Sequence, residues 1–140
     1  MKKIIFLTLI AASLATACKK NPTCETNQTS ISGAYKITAA TYKASNSSAE
    51  IDYFNTLFPD ACDRDNVYTF QTNGTYQIKD AGVVCTPNGD DNGTWSFASA
   101  NNMIIDGDPV ILESFDCKTL VMVNTDVQTA SDRLKLTLTK

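Results

Sequence analysis

Leu134, Leu136 and Leu138 alternate strictly with Lys135, Thr137 and Thr139 near the end of the chain. Successive strand side chains point to opposite faces, so this run buries its leucines and wets the rest, as in an antiparallel sheet with one covered side. Comparable short runs recur from Ile31 onward between turn signals: Tyr35–Tyr42, Val67–Phe70, Thr75–Ile78, Thr94–Phe97, Asn102–Ile105, Val110–Phe115 and Thr119–Val123. With Leu134–Thr139 they predict eight strands, each rich in β-branched or aromatic residues. One segment departs from the period of two. Between Ser47 and Pro59, the apolar residues Ile51, Phe54, Leu57 and Phe58 fall at helical spacing. Ser47 or Ser48 can cap the start, Glu50 lies in the first turn, and Pro59 follows the end. The pattern predicts a short helix over 48–58 that covers one mouth of a barrel; the alternative is a loop pinned by Phe54 and Phe58.

The sharpest local signal is Phe70-Gln-Thr-Asn-Gly-Thr-Tyr76. Asn73-Gly74 makes a hairpin turn because glycine takes positive φ without a steric penalty. A three-residue loop ending in a glycine bulge sets Phe70 opposite Tyr76 and Tyr68 opposite Ile78, apolar pairs on one face. Extending the same ladder brings Cys62 almost opposite Cys85.

The cysteines also bear on compartment. Residues 1–17, MKKIIFLTLIAASLATA, have a positive start at Lys2 and Lys3, an apolar stretch and small residues before Cys18. This reads as a secretory signal, too short for a bilayer-spanning helix of about 20 apolar residues. Ala15-Thr16-Ala17 suits ordinary signal peptidase, which would leave Cys18 a free thiol. Leu14-Ala15-Thr16-Ala17-Cys18 also resembles a relaxed bacterial lipobox, with Ala15 where leucine is commonest. The chain has five cysteines, and acylation of Cys18 explains the odd one. The remaining four, Cys24, Cys62, Cys85 and Cys117, read as two disulfides among three possible pairings. The hairpin register selects Cys62–Cys85 and leaves Cys24–Cys117. In the chain-entropy view the shorter loop is worth about 3 kcal/mol and the longer about 4–5 kcal/mol.

Charge and composition narrow the chemistry. Losing Lys2 and Lys3 with the leader takes the formal charge from −3 to about −5, which gives no basic patch for nucleic acid. There is no histidine and no Cys-x-x-Cys pair, so a zinc site and a histidine-based triad are both disfavoured. No Gly-x-Ser-x-Gly, Ser-x-x-Lys or P-loop stretch occurs, and the chain reads as a non-enzyme without a cofactor. Acidic loops at Asp63-Arg-Asp65, Asn88-Gly-Asp90-Asp91-Asn92 and Asp106-Gly-Asp108 could offer oxygen ligands to calcium. None has the spacing of a calcium-binding loop, and Asp, Asn and Gly are turn residues in any case, so no metal is expected.

Several motifs then fall in a characteristic order: Gly33-Ala-Tyr35-Lys-Ile, Cys62-Asp-Arg-Asp-Asn-Val-Tyr-Thr-Phe70, Asn73-Gly-Thr-Tyr76, Cys85, Gly93-Thr-Trp95 and Lys118-Thr-Leu-Val-Met122. The set resembles the lipocalin-like domain of small lipoproteins from Bacteroidetes, over about residues 30–140. The resemblance implies an all-β fold, an eight-stranded antiparallel lipocalin-like β-barrel with one short helix, in a lipid-anchored envelope protein. It brings no established enzymatic activity. It departs at the opening Gly-x-Trp of lipocalins, which is Gly33-Ala34-Tyr35 here, so a tyrosine would plug the closed end. The expected organisation is a signal peptide over 1–17, a polar tether over 18–30 and the barrel over 31–140.

Tyr35, Tyr68, Phe70, Tyr76, Trp95 and Phe97 lie in the strand runs and could line a ligand cavity. An eight-stranded barrel is either filled by side chains or has room for one small ligand, and short strands favour filling. Two readings therefore stand. One is a tethered binder of a small apolar or amphipathic molecule. The other is a structural or interaction lipoprotein with a solid barrel that contacts another envelope protein. In both, the partner of Cys18 is the membrane, expected to be the outer membrane, and Lys19 and Lys20 favour its periplasmic side.

Overall fold

The computed structural model describes residues 24–99 and 101–140. The leader and Cys18 lie outside the described residues. In chain order the elements are α1 (Gln28–Ile31), β1 (Gly33–Lys43), β2 (Ile51–Asp52), α2 (Phe54–Leu57), a 3₁₀ turn (Ala61–Asp63), β3 (Val67–Phe70), β4 (Thr75–Lys79), β5 (Asp91–Ser99), β6 (Asn102–Ile105), β7 (Asp108–Phe115), β8 (Thr119–Thr125) and β9 (Arg133–Thr139). β1 and β3 to β9 form a closed eight-stranded antiparallel barrel, with each strand hydrogen-bonded to its neighbour and β9 returning to β1.

β1 makes the closure. Gly33–Tyr35 pair with β3, and Lys36–Lys43 pair with β9. The register shifts between Ile37 and Ala39, a bulge that bends the strand and turns its later residues so that Ala40 and Tyr42 face inward opposite Leu136 and Leu134. Similar shifts bend β5 after Phe97 and β7 after Leu112. On the ladder between β8 and β9, Leu120 faces Leu138 and Met122 faces Leu136. The alternation in β9 thus puts its leucines on the inner wall and Lys135, Thr137 and Thr139 outside. Full burial of a side chain such as Leu120, which is wholly enclosed, is worth about 1.5–3 kcal/mol.

The hairpin of β3 and β4 has the expected register, Tyr68 opposite Ile78 and Phe70 opposite Tyr76. Gly74 takes φ +86° at its turn. The disulfides join Cys62 to Cys85 and Cys24 to Cys117.

Two expectations are corrected. The segment 48–58 is helical only over Phe54–Leu57, and Ile51–Asp52 instead pairs with Tyr42 and Thr41 of β1. The unpaired edge of β1 captures this backbone, since the Tyr53 N–H also donates to the Ala40 carbonyl at 2.9 Å. Asp52, rather than Ser47 or Ser48, receives the first helical N–H, that of Phe54. Ile51 is accordingly 54% exposed. Phe54 and Phe58 do pack against the core, with ring centroids 5.4 Å apart.

The second correction concerns the tether. Residues 24–30 belong to the folded body. Asn27 and Ser30 cap each other reciprocally, which starts α1 and delivers Ile31 fully buried into the core.

Candidate functional site

The barrel has a closed end and an open end. The closed end holds α1 and the hairpin turns that follow β3, β5 and β7. Tyr35, Phe70 and Trp95 stack there in sequence, Tyr35 edge-on to Phe70 at 5.9 Å and Phe70 edge-on to Trp95 at 5.3 Å. Each polar tip is satisfied. The Tyr35 hydroxyl donates to the Ile31 carbonyl at 2.5 Å, and Trp95 Nε1 donates to the Gln71 carbonyl at 2.9 Å. Burial pushes the Tyr35 hydroxyl pKa well above its ordinary value. Lys140 completes the plug. Its Nζ lies 5.2 Å from the Tyr35 ring centre and donates to the carbonyls of Ser30 and Ser32. Gly33, at φ +145°, leaves room for that lysine, because a Cβ there would stand 3.0 Å from Lys140 Cε.

Above this plug the inner wall is bare. A cavity of about 700 Å³ opens between the β6–β7 turn, the β8–β9 loop and the edges of β3 and β4. Its floor and walls are apolar: Ile37, Phe70, Val110, Met122, Leu136 and Leu138 line it, and Tyr68, Tyr76 and Ile78 from β3 and β4 complete the wall. The rim carries Asp106, Asp108, Asn124, Thr125, Asp126 and Val127. The volume is that of a pocket for a small organic molecule.

Two aspartates fix the rim. Asp106 and Gly107 form a two-residue turn, both at positive φ, between β6 and β7. The Asp106 carboxylate accepts the Tyr76 hydroxyl at 2.5 Å and the Thr94 N–H at 2.8 Å. The Tyr76 bond and the Thr94 N–H hold its pKa below the usual carboxylate range. Desolvation, and then the bond to Asp106, pushes Tyr76 up to about 12. Gly93, opposite Tyr76 in the ladder, makes this latch possible: a Cβ would stand 2.3 Å from Asp106 Oδ1 and 2.6 Å from Tyr76 Cε1.

Asp132 holds the β8–β9 loop. It is fully buried and accepts the N–H groups of Val127, Gln128 and Thr129 and the Tyr42 hydroxyl. Burial raises its pKa, but the hydrogen bonds to its charged form outweigh that and hold it at about 2.

Of the six aromatics expected to line a cavity, Tyr68, Phe70 and Tyr76 do so. Tyr35 and Trp95 fill the closed end, and Phe97 packs against the core away from the cavity. The structure thus divides the set between the lined and the filled readings. The aliphatic lining of β8 and β9 was not singled out from the sequence, although the alternation of Leu134, Leu136 and Leu138 already placed those side chains inside. Asn124 was missed as well. It stands in phase with Leu120 and Met122 and opposite Leu134 on the inner face, a polar break in an apolar ladder.

The acidic loops behave as turns. The Asp90 N–H donates to Asn88 Oδ1, Lys79 pairs with Asp90, and buried Asp80 collects the N–H groups of Cys85 and Gly89. Cys62, Asp63 and Cys85 bring three donor atoms within 4.8 Å of one another, but both sulfurs are joined in the disulfide and offer no thiolate to a metal.

Compared with family models, curated proteins and solved structures, the chain matches none.

Proposed function

We propose that this chain is a lipid-anchored cell-envelope protein of the lipocalin-like kind that binds one small apolar or amphipathic molecule inside its barrel and carries out no catalysis. The observation that carries the reading is the cavity of about 700 Å³, with apolar walls and a single polar rim. A filled barrel, the basis of the interaction reading, would have no such space.

The anchoring half of the proposal rests on the leader and the odd cysteine. Cys24 is pinned to Cys117 in the β7–β8 turn, at the closed end. Cys24 follows Cys18 by six positions in the sequence, a reach of about 20 Å when extended. Acylation of Cys18 would therefore set the closed end toward the outer membrane and the mouth toward water. With two or more acyl chains the attachment is stable, whereas one chain gives only marginal binding.

Native mass spectrometry of protein extracted from its own membranes tests both halves. The expected spectrum shows the mass of an acylated Cys18 and one additional apolar molecule that leaves on collisional activation. Protein without a bound molecule, and with a cavity that takes up none on incubation with a lipid extract, would overturn the binding half. An unmodified Cys18 would overturn the anchoring half.

A further inference from the structure

The cavity has a polarity that the overall charge of the chain does not convey. Every charged side chain lining it is an aspartate, namely Asp106, Asp108 and Asp126, and no lysine or arginine is among the lining residues. The cations of the same end do not line it. Lys79 pairs with Asp90. Arg64 donates to the carbonyls of Phe58 and Pro59. Lys43 and Arg133 face each other across β1 and β9 on the outer side of the wall, where they share a shallow groove with Glu50.

The aspartates also differ in what they are free to do. Asp106 is committed to Tyr76 and Thr94. Asp126 uses one oxygen on the Ser131 N–H. Asp108 makes no side-chain hydrogen bond among the described residues and is exposed at the mouth. Just inside the rim, Asn124 carries an amide oxygen that is buried without a partner. A polar group left unpaired in an apolar wall is unfavourable unless something supplies a hydrogen bond.

We infer that the barrel selects an amphiphile with a cationic, hydrogen-bond-donating head, an alkylamine or alkylammonium in chemical class, whose chain lies against Met122, Leu136 and Leu138 and whose head rests between Asp108 and Asp126 beside Asn124. This rests on the binding reading above and adds the sign of the head group. An anionic amphiphile of the same chain meets like charge at the rim. A lined cleft of one sign favours the opposite charge, and the effect weakens as salt shortens the screening length.

The test uses the full chain carrying Cys18→Ser, so that no detergent competes for the cavity. Dodecylamine, dodecanol and dodecanoate are titrated at neutral pH, below micelle formation, by calorimetry. The expected order is amine, alcohol, acid, with roughly tenfold between the amine and the acid at low salt and less at high salt. The double variant Asp108→Asn, Asp126→Asn is expected to bring the affinities for amine and acid together. Binding of dodecanol with no preference for the amine, or with a preference for the acid, would overturn the charge selection and leave the cavity reading intact. Binding of none of the three would overturn the cavity reading itself.

Discussion

The two ends of this barrel are made by the same strands and finish in opposite ways. At the closed end the rings of Tyr35, Phe70 and Trp95 stack on one another, and backbone carbonyls meet the two polar tips. At the open end two aspartates hold loops: Asp132 gathers the β8–β9 loop, and Asp106 ties its turn to Tyr76. The inner wall between them is left unfilled. Aromatic content therefore does not locate a ligand here. A ring whose N–H or O–H is satisfied by backbone serves as a plug, while the cavity is bounded largely by aliphatic side chains.

Breaking the closed end should have the largest effect. Replacing both Cys24 and Cys117 with serine releases the clasp between α1 and the β7–β8 turn, which spans 93 residues of sequence. A loss of about 4–5 kcal/mol is expected in denaturant unfolding. The same change at Cys62 and Cys85, at the open end, removes a span of 23 residues and should lose about 3 kcal/mol.

Two leucines sharpen the contrast at fixed chemistry. Leu120 is fully enclosed, whereas Leu136 borders the cavity. Leu120→Ala opens a new void and should destabilise by about 3–5 kcal/mol, while Leu136→Ala enlarges an existing one and should lose about 2 kcal/mol. Equal losses in chemical denaturation would mean that the open end is packed as tightly as the closed one.

Gly93→Ala should disturb the rim alone. Its Cβ would collide with both Asp106 and Tyr76, at an expected cost of about 1–3 kcal/mol from overpacking. Melting temperatures of Gly93→Ala alone and in a Tyr76→Phe background would show whether the latch is the cause, since the cost should shrink once the hydrogen bond is absent.

The smallest effect is one of pH. Asp132 is held at about 2 in the folded chain, against about 3.9 for an unperturbed aspartate. A depressed carboxylate stabilises fully above the unfolded value and loses that contribution as pH falls through the folded one. The wild type should therefore lose stability between about pH 4 and pH 2 through this residue. Asp132→Asn should already be less stable at neutral pH and should lack that component of the acid slope when melting temperature is followed against pH.

Much of the wall was legible in the sequence because strands advertise themselves by a period of two. Leu134–Thr139 marked the buried face, and the Asn73-Gly74 turn set the register that pointed to Cys62 beside Cys85. Elements decided by distant partners were not legible. The stripe of Ile51, Phe54, Leu57 and Phe58 suits a helix, yet Ile51–Asp52 was drawn onto the open edge of β1, an edge no local pattern reveals. The segment Cys24–Ser30 is polar throughout, and it is the Cys24–Cys117 bond, the cap at Asn27 and the buried Ile31 beside it that show it folds. For the cavity, residue type was a poorer guide than parity. Asn124, in phase with Leu120 and Met122, could have been found by parity, and Asp132 could not, because its role depends on three loop N–H groups that only the folded turn brings together.

The central claim is that one end of the barrel is packed and the other open to a ligand. Methyl NMR of the full chain carrying Cys18→Ser, titrated with dodecanol, tests it most directly. Saturable shifts are expected for Val110, Met122, Leu134 and Leu136, which border the cavity, with Ile31 and Leu120 unmoved at the closed end. Shifts spread equally over both groups, or none that saturates, would contradict it.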